Sequence, residues 1–308
     1  MMKIAVGIST AGRPDLLHKT LNHLRSQTRP PDRTIVSIAS FSDAGDPDAL
    51  AQDGIEVVGS ERGLTRQRNA ILDVVGDCDL VAFFDDDFVP AATYLEAAET
   101  LFVTRPEVVL ATGAVLADGI CGPGLEFAEA VALLEQAGDR GRDANELERI
   151  YNGYGCNMVA RISPIREQRL RFDEELPLYG WLEDVDFSRR LAAFGEIVRA
   201  DSMRGIHLGV KHGRQSGERF GYSQIANPVY LMRKNTMSSG RAFWLMARNA
   251  GMNLVRGFGP EAYVDRRGRL AGNARALVDL LRLRLHPRRA LDIGTSAVPS
   301  RSAIRRDG

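Results

Sequence analysis

The run Leu80-Val81-Ala82-Phe83-Phe84 breaks off into Asp85-Asp86-Asp87. Five apolar residues in succession suit a strand buried on both faces. Three adjacent carboxylates directly after such a strand constrain the chain more than any other feature it has. They repel one another, and burial raises the cost unless solvent or a cation relieves it. A hard divalent cation takes one or two protein carboxylates and fills its other positions with substrate phosphates and water. The competing reading is an exposed acidic turn leading into a helix that starts near Ala92. Ligands of α/β sheets bind beyond the carboxyl ends of the strands, and that favours the cation.

The flanking segments supply the rest of such a sheet. Residues 3–8, 34–39 and 55–58 read as strands. Pro14 opens a helix reaching about Ser26, with Leu17, Leu21 and Leu24 at helical spacing, and a second helix covers Thr65 to Val75. Strands alternating with helices imply βαβ units and a mostly parallel, Rossmann-like α/β sheet flanked by helices. Further on, helices near 92–103 and 124–137 surround a strand over 108–112. Another strand covers Asn157 to Arg161, and a helix runs from Gly180 to Phe194. From about Tyr222 the pattern is helical, with basic and apolar residues mixed. Gly138 to Arg142 reads as a linker.

Composition excludes several classes. Lys+Arg and Asp+Glu both number 40, so no global charge points to nucleic acid. The 3 cysteines, Cys78, Cys121 and Cys156, form no CxxC pair and fit a reducing compartment better than a disulfide framework or a zinc site. The apolar start is too short for a signal peptide, and no stretch has the length of a membrane span. The expected location is cytoplasmic.

Other residues carry chemical signals. Gly63-Leu64-Thr65-Arg66-Gln67-Arg68-Asn69 opens a helix, with Thr65 as the expected N-cap. Arg66 and Arg68 then fall in a first turn, where the helix dipole disfavours cations, so a shared anion is the better account for Arg66, while for Arg68 it stands level with contact to neighbouring acids, the aspartate triplet included. In Trp181-Leu182-Glu183-Asp184-Val185-Asp186-Phe187, Asp184 shares a helical face with Phe187, Leu191 and Phe194. Glu183, Asp186 and Arg190 lie on another, polar face. A carboxylate on an apolar face suits a general base aimed into a cleft, or an acid merely favoured by the dipole. Trp181 reads as an acceptor-stacking surface or as core. His207 or His212 can complete a metal site, and Ser216 to Tyr222 reads as a glycine-hinged loop that closes over a bound anion.

In this order and approximate spacing the pieces resemble the inverting GT-A glycosyltransferases of family 2. The resemblance covers about residues 3–240 and rests on five matches: Ile4–Ser9 running into Thr10-Ala11-Gly12-Arg13-Pro14, Gly63 to Asn69, Asp85-Asp86-Asp87 as the DxD motif, Glu183-Asp184, and His207 before a loop. It implies a GT-A catalytic domain over 1–240, with a nucleotide-sugar half to about 120 and an acceptor half from 121. A helical, basic region over 241–308 ends in a disordered tail. Thr10, Arg13 and Arg66 would contact the nucleotide, with Asp85 and Asp86 in the same nucleotide-sugar site. Asp87 and His207 would hold Mn²⁺ or Mg²⁺, Asp184 would be the base, and Trp181 and Glu183 would face the acceptor. The sequence departs from the family at Ser9-Thr10-Ala11-Gly12, where Pro-x-Tyr-Asn is common. It departs again at the end of the second strand, where Asp43 is the nearest carboxylate to the usual aspartate.

The implied reaction is inverting transfer of a sugar from a nucleoside diphosphate to a saccharide or lipid-linked acceptor, in bacterial cell-surface polysaccharide or glycolipid synthesis. Two alternatives stand beside it. A Mg²⁺-dependent nucleotidyltransferase would need a glycine-rich phosphate loop, and Ser9 to Pro14 offers only Gly12. A non-catalytic nucleotide-sugar binding module would have no need to keep Asp85, Asp87, Asp184 and His207 together. In the C-terminal region, Leu277, Leu280, Leu281 and Leu285 share a helical face, and Arg275, Arg282 and Arg289 recur on another. Such a helix packs its leucines on protein or lies in an anionic membrane interface at the inner face of the membrane, with Ala242 to Met246 as a second apolar contact.

Overall fold

The computed structural model describes residues 1–138, 147–211, 216–259 and 261–294. Its elements are β1 (Ile4–Ser9), α1 (Pro14–Leu24), β2 (Arg33–Ile38), α2 (Phe41–Ala44), α3 (Pro47–Gln52), β3 (Glu56–Gly59), α4 (Leu64–Val74), β4 (Leu80–Asp85), β5 (Phe88–Pro90) and α5 (Tyr94–Thr104). There follow β6 (Val108–Asp118), α6 (Phe127–Ala137), β7 (Leu147–Arg149), β8 (Asn157–Arg161), α7 (Ile162–Glu167), α8 (Glu183–Leu191) and β9 (Glu196–His207). The last helices are α9 (Gly217–Arg233), α10 (Ser239–Arg256) and α11 (Arg266–Leu281), with single 3₁₀ turns at Gly119–Cys121 and Pro287–Asp292.

One nine-stranded sheet runs β3-β2-β1-β4-β8-β6-β9-β5, with β7 also paired to β9. The four strands β3-β2-β1-β4 are parallel, as the βαβ reading requires. Beyond β4 the sheet is mixed, because β8 runs antiparallel to both β4 and β6, and β5 and β7 run antiparallel to β9. The second half keeps one parallel pair, β6 with β9, so the sheet is uniformly parallel in the first half alone. The reversal brings the amino end of β8 and the carboxyl ends of β4, β6 and β9 toward one edge.

Successive side chains of a strand face opposite ways, so β4 serves two cores. Leu80, Ala82 and Phe84 pack with Ile4, Val6, Ile8 and the α1 leucines Leu17, Leu21 and Leu24. Val81 and Phe83 pack on the other side with Ile71, Phe172, Phe187 and Leu191. Phe172 stacks on Phe187 at 4.1 Å between centroids and meets Phe83 edge-on at 5.2 Å. That block fixes α4 and α8 against the same sheet face. Gly7 allows the close approach, since a Cβ there would lie 2.6 Å from Ile71 Cγ2.

Several local expectations change. Gly63, at φ 139°, is the N-cap of α4, and Thr65 sits inside the helix, its hydroxyl donating to the Leu176 carbonyl at 3.3 Å. The segment Ser216 to Tyr222 is not a loop: Ser216 caps α9 by accepting from the Arg219 N–H, and the helix begins at Gly217. The helix over Gly180–Phe194 is shorter and starts at Glu183, after Leu182 turns through φ 74°. Of the Gly138–Arg142 linker only Gly138 is described, as the C-cap of α6, and His212 and the tail after residue 294 lie outside the described residues.

The C-terminal helices form one packed group that begins at α9. Tyr222, Ile225, Ala226 and Val229 pack with Ala276, Leu285, Ala290 and Ile293. Buried amides join the three helices: Asn253 donates to Gln224 (2.8 Å) and Asn273 (2.9 Å), and Asn273 donates to the Gly221 carbonyl (2.7 Å). α11 ends at Leu281, so the leucine stripe does not continue to Leu285, and the inward face of α11 is Gly272, Asn273, Ala276 and Asp279. Leu277 and Leu281 are exposed, the latter 85%, while Leu280 and Leu285 pack into this group, so half of the leucine stripe is seated on the protein. Among the described residues no helix is long and apolar enough to cross a membrane.

Candidate functional site

The three aspartates diverge at the end of β4, and each has a different environment. Asp86 turns inward and is fully buried. Its Oδ2 accepts from Thr10 Oγ1 at 2.6 Å and from Arg13 Nε at 3.1 Å, its Oδ1 is ion-paired with the Arg13 guanidinium at 2.5 Å, and its carbonyl accepts from Thr20 Oγ1 at 2.7 Å. Burial pushes its carboxyl up to about 7 against the pull of Arg13. Thr10, Arg13 and Asp86, all expected to contact a nucleotide, are engaged with one another and brace the aspartate turn. Asp43 is likewise internal, accepting from the N–H groups of Gly12 (2.7 Å) and Ser40 (2.9 Å) and so tying the β1 turn to the β2 end.

Asp85 and Asp87 face His207 at the end of β9. One ligand atom from each of the three lies within 4.8 Å of the others. Asp87 is held by the Val210 N–H (3.0 Å) and approached by His207 Nε2 (3.5 Å) and Arg13 (3.4 Å). Burial would raise its carboxyl, but His207 and Arg13 outweigh that and hold it at about 2. His207 Nδ1 lies 2.9 Å from Asp118 Oδ1 at the end of β6, and Tyr154 donates to the other Asp118 oxygen at 2.7 Å. A carboxylate on Nδ1 fixes the tautomer and turns Nε2 toward the cluster, as the outer partners of metal-binding histidines do. Burial opposes a charge on His207, yet Asp118 and Asp87 prevail and push it up to about 10. Two carboxylates and an imidazole can share either that proton or a divalent cation, and the oxygen-rich donor set suits Mg²⁺ or Mn²⁺. The donors thus fit a metal ion.

Arg68 links this cluster to α8. Residues two apart on a helix point roughly 200° from one another, so Arg66 and Arg68 leave α4 on different sides. Arg68 goes inward, donating to Glu183 Oε1 (2.6 Å), Asp85 Oδ1 (3.1 Å) and the Gly155 carbonyl (2.6 Å), with its guanidinium over Phe172 at 5.4 Å. Arg66 goes outward to Glu61 and Glu174, away from the cleft. Glu183 and Asp186 do not form a polar surface. Both are buried, Glu183 on Arg68 and Asp186 on Lys234 (2.9 Å) and Arg190 (2.7 Å). Burial outweighs Arg68 and pushes the Glu183 carboxyl up to about 8.

Asp184 is the α8 carboxylate left facing space. Its oxygens accept from the N–H groups of Gly155 (3.2 Å) and Val185 (2.8 Å). It lines a cavity of about 360 Å³ together with Arg68, Asp85, His207, Trp181 and Trp244. Removal from water raises its carboxyl above the ordinary range, although those two N–H groups and Arg68 oppose the shift. Trp181 is cavity wall, edge-on to Phe220 at 5.6 Å, and its carbonyl anchors Asn227 of α9 at 2.7 Å. The opposite wall comes from α10 through Arg241, Trp244 and Leu245.

Asp118, Tyr154 and the place of α10 at the cavity fall outside the sequence reading, which marks Ala242 to Met246 only as an apolar contact. A signal existed for Asp118, since Val108 to Ala117 is uncharged and breaks off at a carboxylate, as β4 does. None existed for Tyr154 or α10, which reach the site only through tertiary packing.

No protein-family model and no curated protein matches the chain by sequence. Among solved structures it is similar to S. aureus TarS, with TM-score 0.54 and 16% identity over 84% of this chain. The match covers 44% of TarS, so the chain spans less than half of that protein. The Pyrobaculum calidifontis mannosyltransferase PcManGT, solved with GDP-Man and Mn²⁺, has TM-score 0.54 and 14% identity over 92% of this chain and 82% of that one. GalNAc-T7, solved with UDP, GalNAc and Mn²⁺, has TM-score 0.54 and 12% identity over 77% and 51%. At these identities the likeness is one of fold, and the fold is the GT-A arrangement of a mixed sheet flanked by helices.

Proposed function

We propose that this chain transfers a sugar from a nucleoside-diphosphate donor to an acceptor hydroxyl with inversion, as a metal-dependent glycosyltransferase of the family 2 type. The observation that carries the reading is one cavity lined by Asp85 and His207, two of the three clustered donors, and by the base candidate Asp184. The fold neighbours crystallised with UDP, UDP-GlcNAc or GDP-Man support a donor of this class. Asp85, Asp87 and His207 would hold Mn²⁺ or Mg²⁺, which as a Lewis acid supplies countercharge for a departing diphosphate. Arg68 fixes Asp85 and Glu183 from behind, and Asp118 orients His207. Asp184 takes the proton of the acceptor hydroxyl as that oxygen forms its bond to the anomeric carbon and the bond to the diphosphate breaks. Trp181 offers its ring to the acceptor.

A panel of UDP- and GDP-sugars, read by thermal unfolding with and without Mn²⁺, tests this reading. One donor at about 100 times its dissociation constant should stabilise the fold by roughly 2.7 kcal/mol, and EDTA should erase the shift. A panel without any metal-dependent shift rejects the reading.

The pH profile provides a second check. A base works only when deprotonated, and the Asp184 carboxyl is raised. Turnover should therefore fall as pH drops through a value above the ordinary aspartate value of about 3.9. An acid limb at or below that value would point to a base other than Asp184.

A further inference from the structure

α10 buries little of itself. Ala242 and Asn253 are its only buried residues, and the opposite side carries Phe243, Ala247 and Leu254 in one row and Trp244, Gly251 and Val255 in the next. Val255 is 73% exposed, Trp244 61%, and Phe258, just past the helix, 82%. A run of large apolar groups along a helix of roughly 27 Å is more than the scattered exposure ordinary on a protein surface. Arg241 and Arg248, seven residues apart, form the next row, and Arg256 lies beyond them. The helix contains no carboxylate. Arg241 and Arg248 stack on the rings of Tyr151 (3.9 Å) and Trp244 (4.9 Å), while Arg256 is 3.6 Å from Glu261.

We infer that this face of α10 docks on an anionic lipid bilayer, which sets the mouth of the cavity against the membrane. Three observations favour a bilayer. Aromatic and aliphatic side chains bordered by arginines match an interface with an apolar interior and anionic headgroups. A second copy meeting this face about a twofold axis would set arginines against arginines with no acid on the helix to offset them. The face is also continuous with the site, because Arg241, Trp244 and Leu245 of the same helix line the cavity. A lipid-linked acceptor held in the bilayer would enter where it is recognised. That last step alone rests on the sugar-transfer reading.

Co-sedimentation of the full chain with vesicles tests the surface, without donor or metal. Phosphatidylcholine vesicles containing phosphatidylglycerol should bind the chain, pure phosphatidylcholine should bind it far less, and salt should weaken the binding. Arg248→Gln should cost about fivefold in partitioning, and Phe243→Ser with Val255→Ser about tenfold or more. Circular dichroism and thermal melts establish that the variants are folded. Binding that ignores phosphatidylglycerol, or folded variants that partition like the parent, overturns the inference. So does light scattering that shows a dimer abolished by the double variant in a chain that ignores vesicles. Because no turnover is measured, a chain that transfers no sugar can still pass this test, and an active one can fail it.

Discussion

Asp184→Asn is expected to lower turnover by a factor of roughly 10² or more while leaving donor affinity unchanged. The amide keeps the size of the carboxylate and can still accept from the Gly155 and Val185 N–H groups that hold it. What it lacks is basicity. Donor-binding side chains lie elsewhere in the proposed mechanism, so calorimetric titration of the donor with Mn²⁺ should give the same dissociation constant for parent and variant. Turnover near the parent's rate would move the base to another residue. Loss of donor binding along with turnover would mean that Asp184 supports the donor site and is not a base.

Arg68→Leu is expected to cost about 3–5 kcal/mol of stability, read by urea denaturation. The guanidinium is buried and donates to Glu183, Asp85 and the Gly155 carbonyl, so its removal strands carboxylates away from water. The cost should depend on pH. Arg68 pulls Glu183 down, and without it the carboxyl, already at about 8 in the parent, rises further. A carboxyl raised in the folded state favours folding below its unfolded value, and that contribution is lost as pH climbs through the folded value. Below about pH 8 both proteins lose this contribution in parallel, so the gap should stay level there and widen only as pH passes the parent's folded value of about 8. A loss of less than about 1 kcal/mol at neutral pH would show that these groups find solvent or other partners.

Legibility in the sequence followed the range of the interaction. Leu80–Phe84 declared a buried strand because five apolar residues cannot face water, and its end located Asp85 and Asp87 without any tertiary information. Local reading failed where side chains choose partners far along the chain. Arg66 and Arg68 look equivalent in a first helical turn, and only the sheet behind α4 separates the outward one from the inward one. Glu183 looked solvated because its own helix is polar on that side, yet Arg68, 115 residues away, awaits it. Thr10 and Arg13 meet Asp86 across more than 70 residues, a contact that no local pattern reveals. Leu277 and Leu281 differ from Leu280 and Leu285 for another reason: a periodic stripe reveals amphipathicity but not which part of it a neighbour covers, and α9 takes the small and amide side of α11.

The crossing of α9 and α11 leaves a trace in the alphabet itself. A Cβ at Gly221 would lie 2.0 Å from the Arg269 carbonyl oxygen, and one at Gly272 would lie 2.0 Å from that of Glu218. Both obstacles are backbone, which cannot swing aside as a side chain can. Apolar residues around them can be exchanged for others of similar volume, and the exposed leucines can drift freely. Descendants of this chain that retain the crossing are bound to keep glycine at both places long after the rest of the helical group has become unrecognisable. A glycine pair at this separation, with the amides of Gln224, Asn253 and Asn273 around it, is thus a lineage marker for the C-terminal assembly, readable when overall identity has faded below what alignment can detect.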